Sequence, residues 1–126
     1  MDVIKIKGTE DTPTIILDTE REIFEISGRS LPEDVAVFYD PVLNWLDEYA
    51  ESPNEKTEFT FKLTYFNTAS SKLLLDILLK LEELRENGND VKILWYYPEE
   101  DEDMQEAGEE FNEIVDIPFE HISYPG

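Results

Sequence analysis

Between Glu58 and Tyr97 the spacing of hydrophobic residues passes from strand to helix and back to strand, and this passage restricts the fold more than any other feature of the chain. Phe59, Phe61, Leu63 and Tyr65 alternate with Glu58, Thr60, Lys62 and Thr64 up to Phe66, the signature of a strand with one buried face. Leu74, Ile77, Leu78, Leu81 and Leu84 then recur at helical steps, and the NGND segment closes the helix near Glu86. VKILWYY follows as a second strand, apolar almost throughout, which places it centrally in a sheet, and Pro98 stops it. Two strands joined through a helix cannot form a hairpin. They lie in one sheet with the helix crossing over its face.

The flanking segments extend this unit. VIKIK, TIILD and IFEISG read as three short strands joined by the turns GTEDTPT and TERE, a small antiparallel edge. Val35, Phe38, Val42, Trp45, Leu46 and Tyr49 share a helical face, which Pro41 interrupts. Proline suits a first helical turn, so Asp40 is expected to cap a second segment that begins at Pro41. The acidic run Glu99 to Asp103 opens a further helix carrying Met104, Ala107, Phe111 and Ile114, and FEHISY after Pro118 is a last short strand. The predicted class is α/β: a mixed sheet with helices packed mainly on one face, in a single domain spanning residues 1–126.

Charge and residue usage remove several functional classes. Thirty-one Asp and Glu against ten Lys and Arg leave a formal charge of −21, which repels nucleic-acid backbones and anionic membrane surfaces. The chain has no cysteine, so disulfides and thiolate chemistry are excluded. No segment has the apolar length of a membrane span, and Met1 precedes Asp2 and a strand pattern rather than a basic stretch and apolar run. A cytoplasmic location is expected, with neither nucleic acid nor membrane as partner and no cofactor.

Catalytic constellations are sparse. His121 is the only histidine, so a Ser-His-Asp arrangement would have to use it, and a solvent-facing strand histidine is the simpler reading. The Glu99 to Asp103 run lacks the alternating ligands and central glycine of a calcium loop and reads as a solvated helix start. The five glycines are isolated, leaving no phosphate-binding loop.

The junction YFNTASSK is more informative. Helix capping needs one side chain, and Thr68, Ser70 or Ser71 would serve, yet Asn67 and three hydroxyls stand together at the C-terminal end of a strand. Open α/β sheets present functional groups at that end. Along the helix that follows, Thr68, Lys72, Leu75 and Leu79 project onto one line, on nearly the opposite side from the core-facing leucines. Either a neighbouring helix covers Leu75 and Leu79, or they form an exposed apolar strip, which on so charged a domain marks a docking surface.

YFNTASSKLLLDIL resembles the core motif of the SiaC family of bacterial regulatory phosphoproteins, usually a tyrosine, an asparagine-threonine pair and two serines before a lysine and an apolar helix. GTEDTPTI, SGRSLPED, ILWYY and EEFNEIVDIPF resemble further family segments, in order, over essentially the whole chain. Ala69 replaces a common serine, which makes Ser70 the nearest alternative acceptor, and Ser71 stands where an apolar residue is usual. The resemblance implies an anti-sigma-factor-antagonist-like (STAS-like) fold and a partner-switching role without enzymatic activity. It also implies phosphorylation of Thr68 by a Ser/Thr kinase, dephosphorylation by a metal-dependent phosphatase of the PP2C type, and activation of an effector, such as a diguanylate cyclase producing cyclic di-GMP, by the unmodified form. Asn67, Ser70, Lys72, Leu75 and Leu79 are the expected partner-binding residues around it. The alternative is a constitutive adaptor of the same fold that is never phosphorylated.

Overall fold

In the computed structural model, which describes residues 1–126, strand order follows chain order. The elements are β1 (Ile4–Ile6), β2 (Thr14–Asp18), β3 (Ile23–Ser30), α1 (Val35–Tyr49), β4 (Lys56–Phe66), α2 (Thr68–Glu86), β5 (Asp90–Pro98), α3 (Glu102–Ile114) and β6 (Phe119–Tyr124). β1, β2 and β3 pair antiparallel, as short polar turns allow, whereas β3, β4, β5 and β6 run parallel because a helix separates each pair. Every crossover steps to the next strand in the same direction. With a common right-handed turn, all three helices fall on one face of the sheet.

That face holds the core. Ile15, Leu17, Phe24, Ile26, Phe59, Phe61, Leu63, Val91, Ile93 and Trp95 point into it at alternate strand positions and meet the helix stripes in one hydrophobic cluster. β5 is interior to the sheet, as its apolar run suggests, but only Val91, Ile93 and Trp95 are buried; Lys92, Leu94 and Tyr96 on the uncovered face keep partial access to water.

α1 departs from expectation. It is a single helix capped by Asp34, whose carboxylate accepts from the Val37 N–H at 3.2 Å, with Pro41 inside it. Pro41 forgoes one backbone hydrogen bond, but Tyr39, Val42, Trp45, Leu46 and Tyr49 are all buried on the same side, and that burial outweighs the local loss. Asp40 caps nothing and accepts from the Asn44 side chain instead.

In α3 the buried line is Met104, Gly108, Phe111 and, just beyond the helix, Val115, not the predicted line through Ala107 and Ile114. The shift arises because Gly108 lies flat against Trp95, whose indole N–H donates to the Met104 carbonyl at 3.0 Å. A Cβ at position 108 would stand 2.4 Å from the indole, and Trp95 is fully buried with nowhere to move. Gly108→Ala is therefore expected to destabilise by about 1–3 kcal/mol through overpacking, overriding the roughly 1 kcal/mol that alanine normally contributes over glycine in a helix. Denaturant unfolding checks the sign; a stabilised variant would show that α3 lifts freely off the sheet.

Candidate functional site

β3 and β4 end side by side, and the site is built where they end. Gly28 adopts φ +101°, and the pairing slips by one residue between Gly28 and Arg29, so that Ser30 pairs with Phe66 and still points into the core. The Asn67 N–H donates to the Ser30 carbonyl at 3.1 Å, tying the start of α2 to the end of β3.

The four polar residues of the junction have different tasks. Asn67, not a hydroxyl, is the N-cap: its side-chain oxygen accepts from the Ser70 N–H at 2.8 Å. Ser70 is fully buried, its hydroxyl donating to the Ser30 carbonyl at 2.9 Å and accepting from the Ser30 hydroxyl at 2.9 Å. Ser71 is half-buried. Thr68 alone, the first residue of the helix, is exposed and has no side-chain hydrogen bond within the chain. The expectation that Ser70 faces a partner, or serves as an alternative acceptor, fails in this structure because its oxygen is enclosed and both its donor and acceptor roles are filled.

The Ser30 hydroxyl also contacts the hydroxyl of Tyr39, which is fully buried on α1. Burial pushes the Tyr39 phenol up to about 12 from its ordinary 10. The folded protein thus holds this proton more tightly than the unfolded chain does. Its contribution is fully present below pH 10 and is lost as the pH rises from 10 toward 12, amounting to roughly 2–3 kcal/mol. Wild type is expected to lose stability faster than Tyr39→Phe across that window in denaturant titrations, and parallel curves would show that Tyr39 ionises as readily folded as unfolded.

Beyond the junction, α2 and α3 leave a groove of about 330 Å³ lined by Phe66, Thr68, Ser71, Lys72, Leu75, Ala107, Glu110, Phe111 and Ile114. Phe66 and Phe111, with ring centroids 6.2 Å apart, meet in its lining. The structure thus gathers Thr68, Lys72 and Leu75 into one surface. No helix covers that line of α2: Leu75 is half-buried in the groove, and Leu79, outside it, is 39% exposed. Lys72 is exposed and pairs with no carboxylate. Sequence reasoning missed Ile114, which is 59% exposed at the groove although its spacing read as core. The signal was Gly108: once the buried line passes through a glycine, Ala107 and Ile114 fall on the flank.

The remaining candidates lie elsewhere. His121 is exposed on β6, with its Nε2 3.2 Å from the Asn112 side-chain oxygen and its ring against Phe119. In the acidic run, Asp101 caps α3 by accepting from the Met104 N–H at 3.0 Å. No three His, Asp or Glu side chains converge as metal ligands, and no helix is long and apolar enough to cross a membrane.

The site thus presents an exposed hydroxyl at a helix start in the lining of a largely apolar groove on a mixed α/β sheet, with no converging catalytic or metal-ligating group beside it. The chain belongs to the SiaC family of regulatory phosphoproteins, whose family model matches residues 6–124. An uncharacterized protein of Pseudomonas aeruginosa strain UCBPP-PA14 is 33% identical over 119 residues, 94% of each chain. The crystal structure of apo-SiaC from Pseudomonas aeruginosa superposes with a TM-score of 0.89 at 31% identity, covering 98% of this chain and 100% of that one. SiaC bound to the diguanylate cyclase SiaD of Pseudomonas aeruginosa, of which it is the activator, also gives 0.89 at 31% identity, covering 96% of this chain and 99% of that one. The expected family and mixed α/β fold are both found, and the family is one of regulators rather than enzymes.

Proposed function

We propose that the chain is a partner switch in which Thr68 is reversibly phosphorylated by a Ser/Thr kinase and restored by a phosphatase of the PP2C type. The unmodified form binds and activates an effector through the groove between α2 and α3. The effector is proposed to be a diguanylate cyclase, by similarity to the SiaC that activates SiaD. One observation carries the reading. Among the hydroxyls of the junction Thr68 alone is exposed, with Ser70 buried and Ser71 half-buried, and it stands in the wall of a groove between α2 and α3.

The chemistry suits the position. Phosphate adds about −1.5 to −2 charges near pH 7. Against −21 this changes the global field little, and salt screens it beyond roughly 8 Å, so its effect is local. At the helix start, the Thr68 and Ala69 N–H groups and Lys72 stabilise a phosphate by about 0.3–1 kcal/mol through the helix dipole. The free protein tolerates the modification. Asn67, Lys72, Leu75 and Leu79 remain the proposed partner contacts, joined by Ile114, with Asn67 acting through its cap.

The test is to purify the protein from its native cell, separate modified from unmodified forms, locate the phosphate, and measure both forms and Thr68→Ala against the cyclase encoded by the same organism. Phosphate confined to Thr68 and absent from Thr68→Ala supports the switch. Unmodified protein under all growth conditions would leave the constitutive adaptor instead.

A further inference from the structure

Three hydroxyls beneath Thr68 form a directed chain that neither capping nor groove formation requires. The Ser70 hydroxyl donates to the Ser30 carbonyl, so it accepts from Ser30; the Ser30 hydroxyl donates to Ser70, so its one remaining role toward Tyr39 is to accept. Protons therefore point one way, from Tyr39 on α1 through Ser30 at the end of β3 to Ser70 in the first turn of α2. All three residues have no solvent exposure, and no buried side-chain polar atom of the protein lacks a partner. A chain this closed holds the turn in one orientation. Ser70 faces inward, and Thr68, two residues earlier on the helix, faces out.

We propose that Tyr39 and Ser30 are positioning residues that select the phosphoacceptor: Ser30, itself held by Tyr39, engages Ser70 from below and withdraws that hydroxyl, leaving Thr68 as the exposed hydroxyl of the turn. The inference rests on the reading of Thr68 as the phosphorylated residue. In that transfer the acceptor oxygen attacks the γ-phosphorus of a nucleoside triphosphate, the bond to the diphosphate breaks, and the hydroxyl proton passes to a base of the kinase. An oxygen can take part only if it can reach that phosphorus in line. Ser70 cannot while its oxygen donates to one atom of Ser30 and accepts from another. Without Ser30 and Tyr39 hydroxyls, Ser70 keeps only the carbonyl bond and borders a small void, so an outward rotamer becomes accessible.

Wild type, Tyr39→Phe, Ser30→Ala and the double variant are expressed in the native cell, and phosphate at Thr68 and Ser70 is quantified by tandem mass spectrometry. Hydrogen exchange is followed at the Ser70 and Ser71 amides of the same proteins. Thr57→Val is the control, since it removes an equally buried hydroxyl from Tyr49 at the far end of β4. In the double variant the ratio of Ser70 to Thr68 phosphate is expected to rise at least about tenfold, roughly a 1.4 kcal/mol change in selectivity. Both amides should exchange faster, with Tyr39→Phe intermediate and Thr57→Val unchanged in site ratio. Tyr39→Phe removes one oxygen and retains the ring, so a folded member of the series is assured. Phosphate still confined to Thr68 in the double variant, with amide protection intact, overturns the selection. A similar shift in Thr57→Val overturns it too, by assigning the change to general loosening. Wild type without phosphate on Thr68 is a separate result and sinks the switch reading itself.

Discussion

Protein carrying phosphate on Thr68 is expected to bind its effector at least a hundredfold more weakly than unmodified protein, with its own thermal midpoint almost unchanged. The asymmetry comes from water. In the free protein the dianion keeps most of its hydration and gains the free N–H groups of the first turn of α2 and the neighbouring Lys72, so folding stability changes by no more than about 1 kcal/mol. In a complex that covers the groove the same group must be stripped of water, costing several kcal/mol unless the effector brings a cation to meet it. A hundredfold loss corresponds to about 2.7 kcal/mol, within that penalty. Thr68→Asp carries one charge in place of roughly two and is shorter, so it should weaken binding less, by about tenfold. Thr68→Ala should bind like wild type. Calorimetric titration of the separated forms decides the matter: phosphorylated protein binding within about threefold of the unmodified form would place Thr68 outside the contact.

The second large effect is expected at the groove. Leu75→Glu and Ile114→Glu should each reduce effector binding by about two orders of magnitude or more, because a carboxylate would replace an apolar contact beside Glu110, already an unfavourable neighbour for another negative charge. Their effects on folding should differ. Ile114 is 59% exposed, so its replacement should cost no more than about 0.5 kcal/mol of stability, whereas half-buried Leu75 should cost about 1–2 kcal/mol. Leu79→Glu, at an exposed position outside the groove, should leave folding intact. Leu74→Glu, on the buried line of the same helix, should unfold the protein and so marks what a core defect looks like. Binding retained by both Leu75→Glu and Ile114→Glu in folded protein would remove the groove from the interface.

Much of this architecture was legible from periodicity because local order and the sheet agree. The alternation in Glu58 to Phe66, the leucine stripe of α2 and the acidic start of α3 each carry a physical signal within one turn or one strand. Pro41 misled for the complementary reason: proline's local cost argues for a boundary, and only the packing of Tyr39 through Tyr49 against β3 and β4 shows that burial overrides it. Ile114 misled because three-residue and four-residue steps both lie within a helical face, and the choice between them depended on Trp95, distant in sequence, meeting Gly108.

By itself, then, the chain determined its strands, its helices, the parallel crossovers and the crowding of hydroxyls at the start of α2, since these depend on spacing between near neighbours. The tertiary structure alone decided which hydroxyl faces water. Thr68 and Ser70 are chemically similar and two positions apart; what distinguishes them is Ser30, forty residues before Ser70, brought beneath it by a one-residue slip between β3 and β4. Burial is a property of the partners a residue meets, and those partners are not its neighbours in the chain.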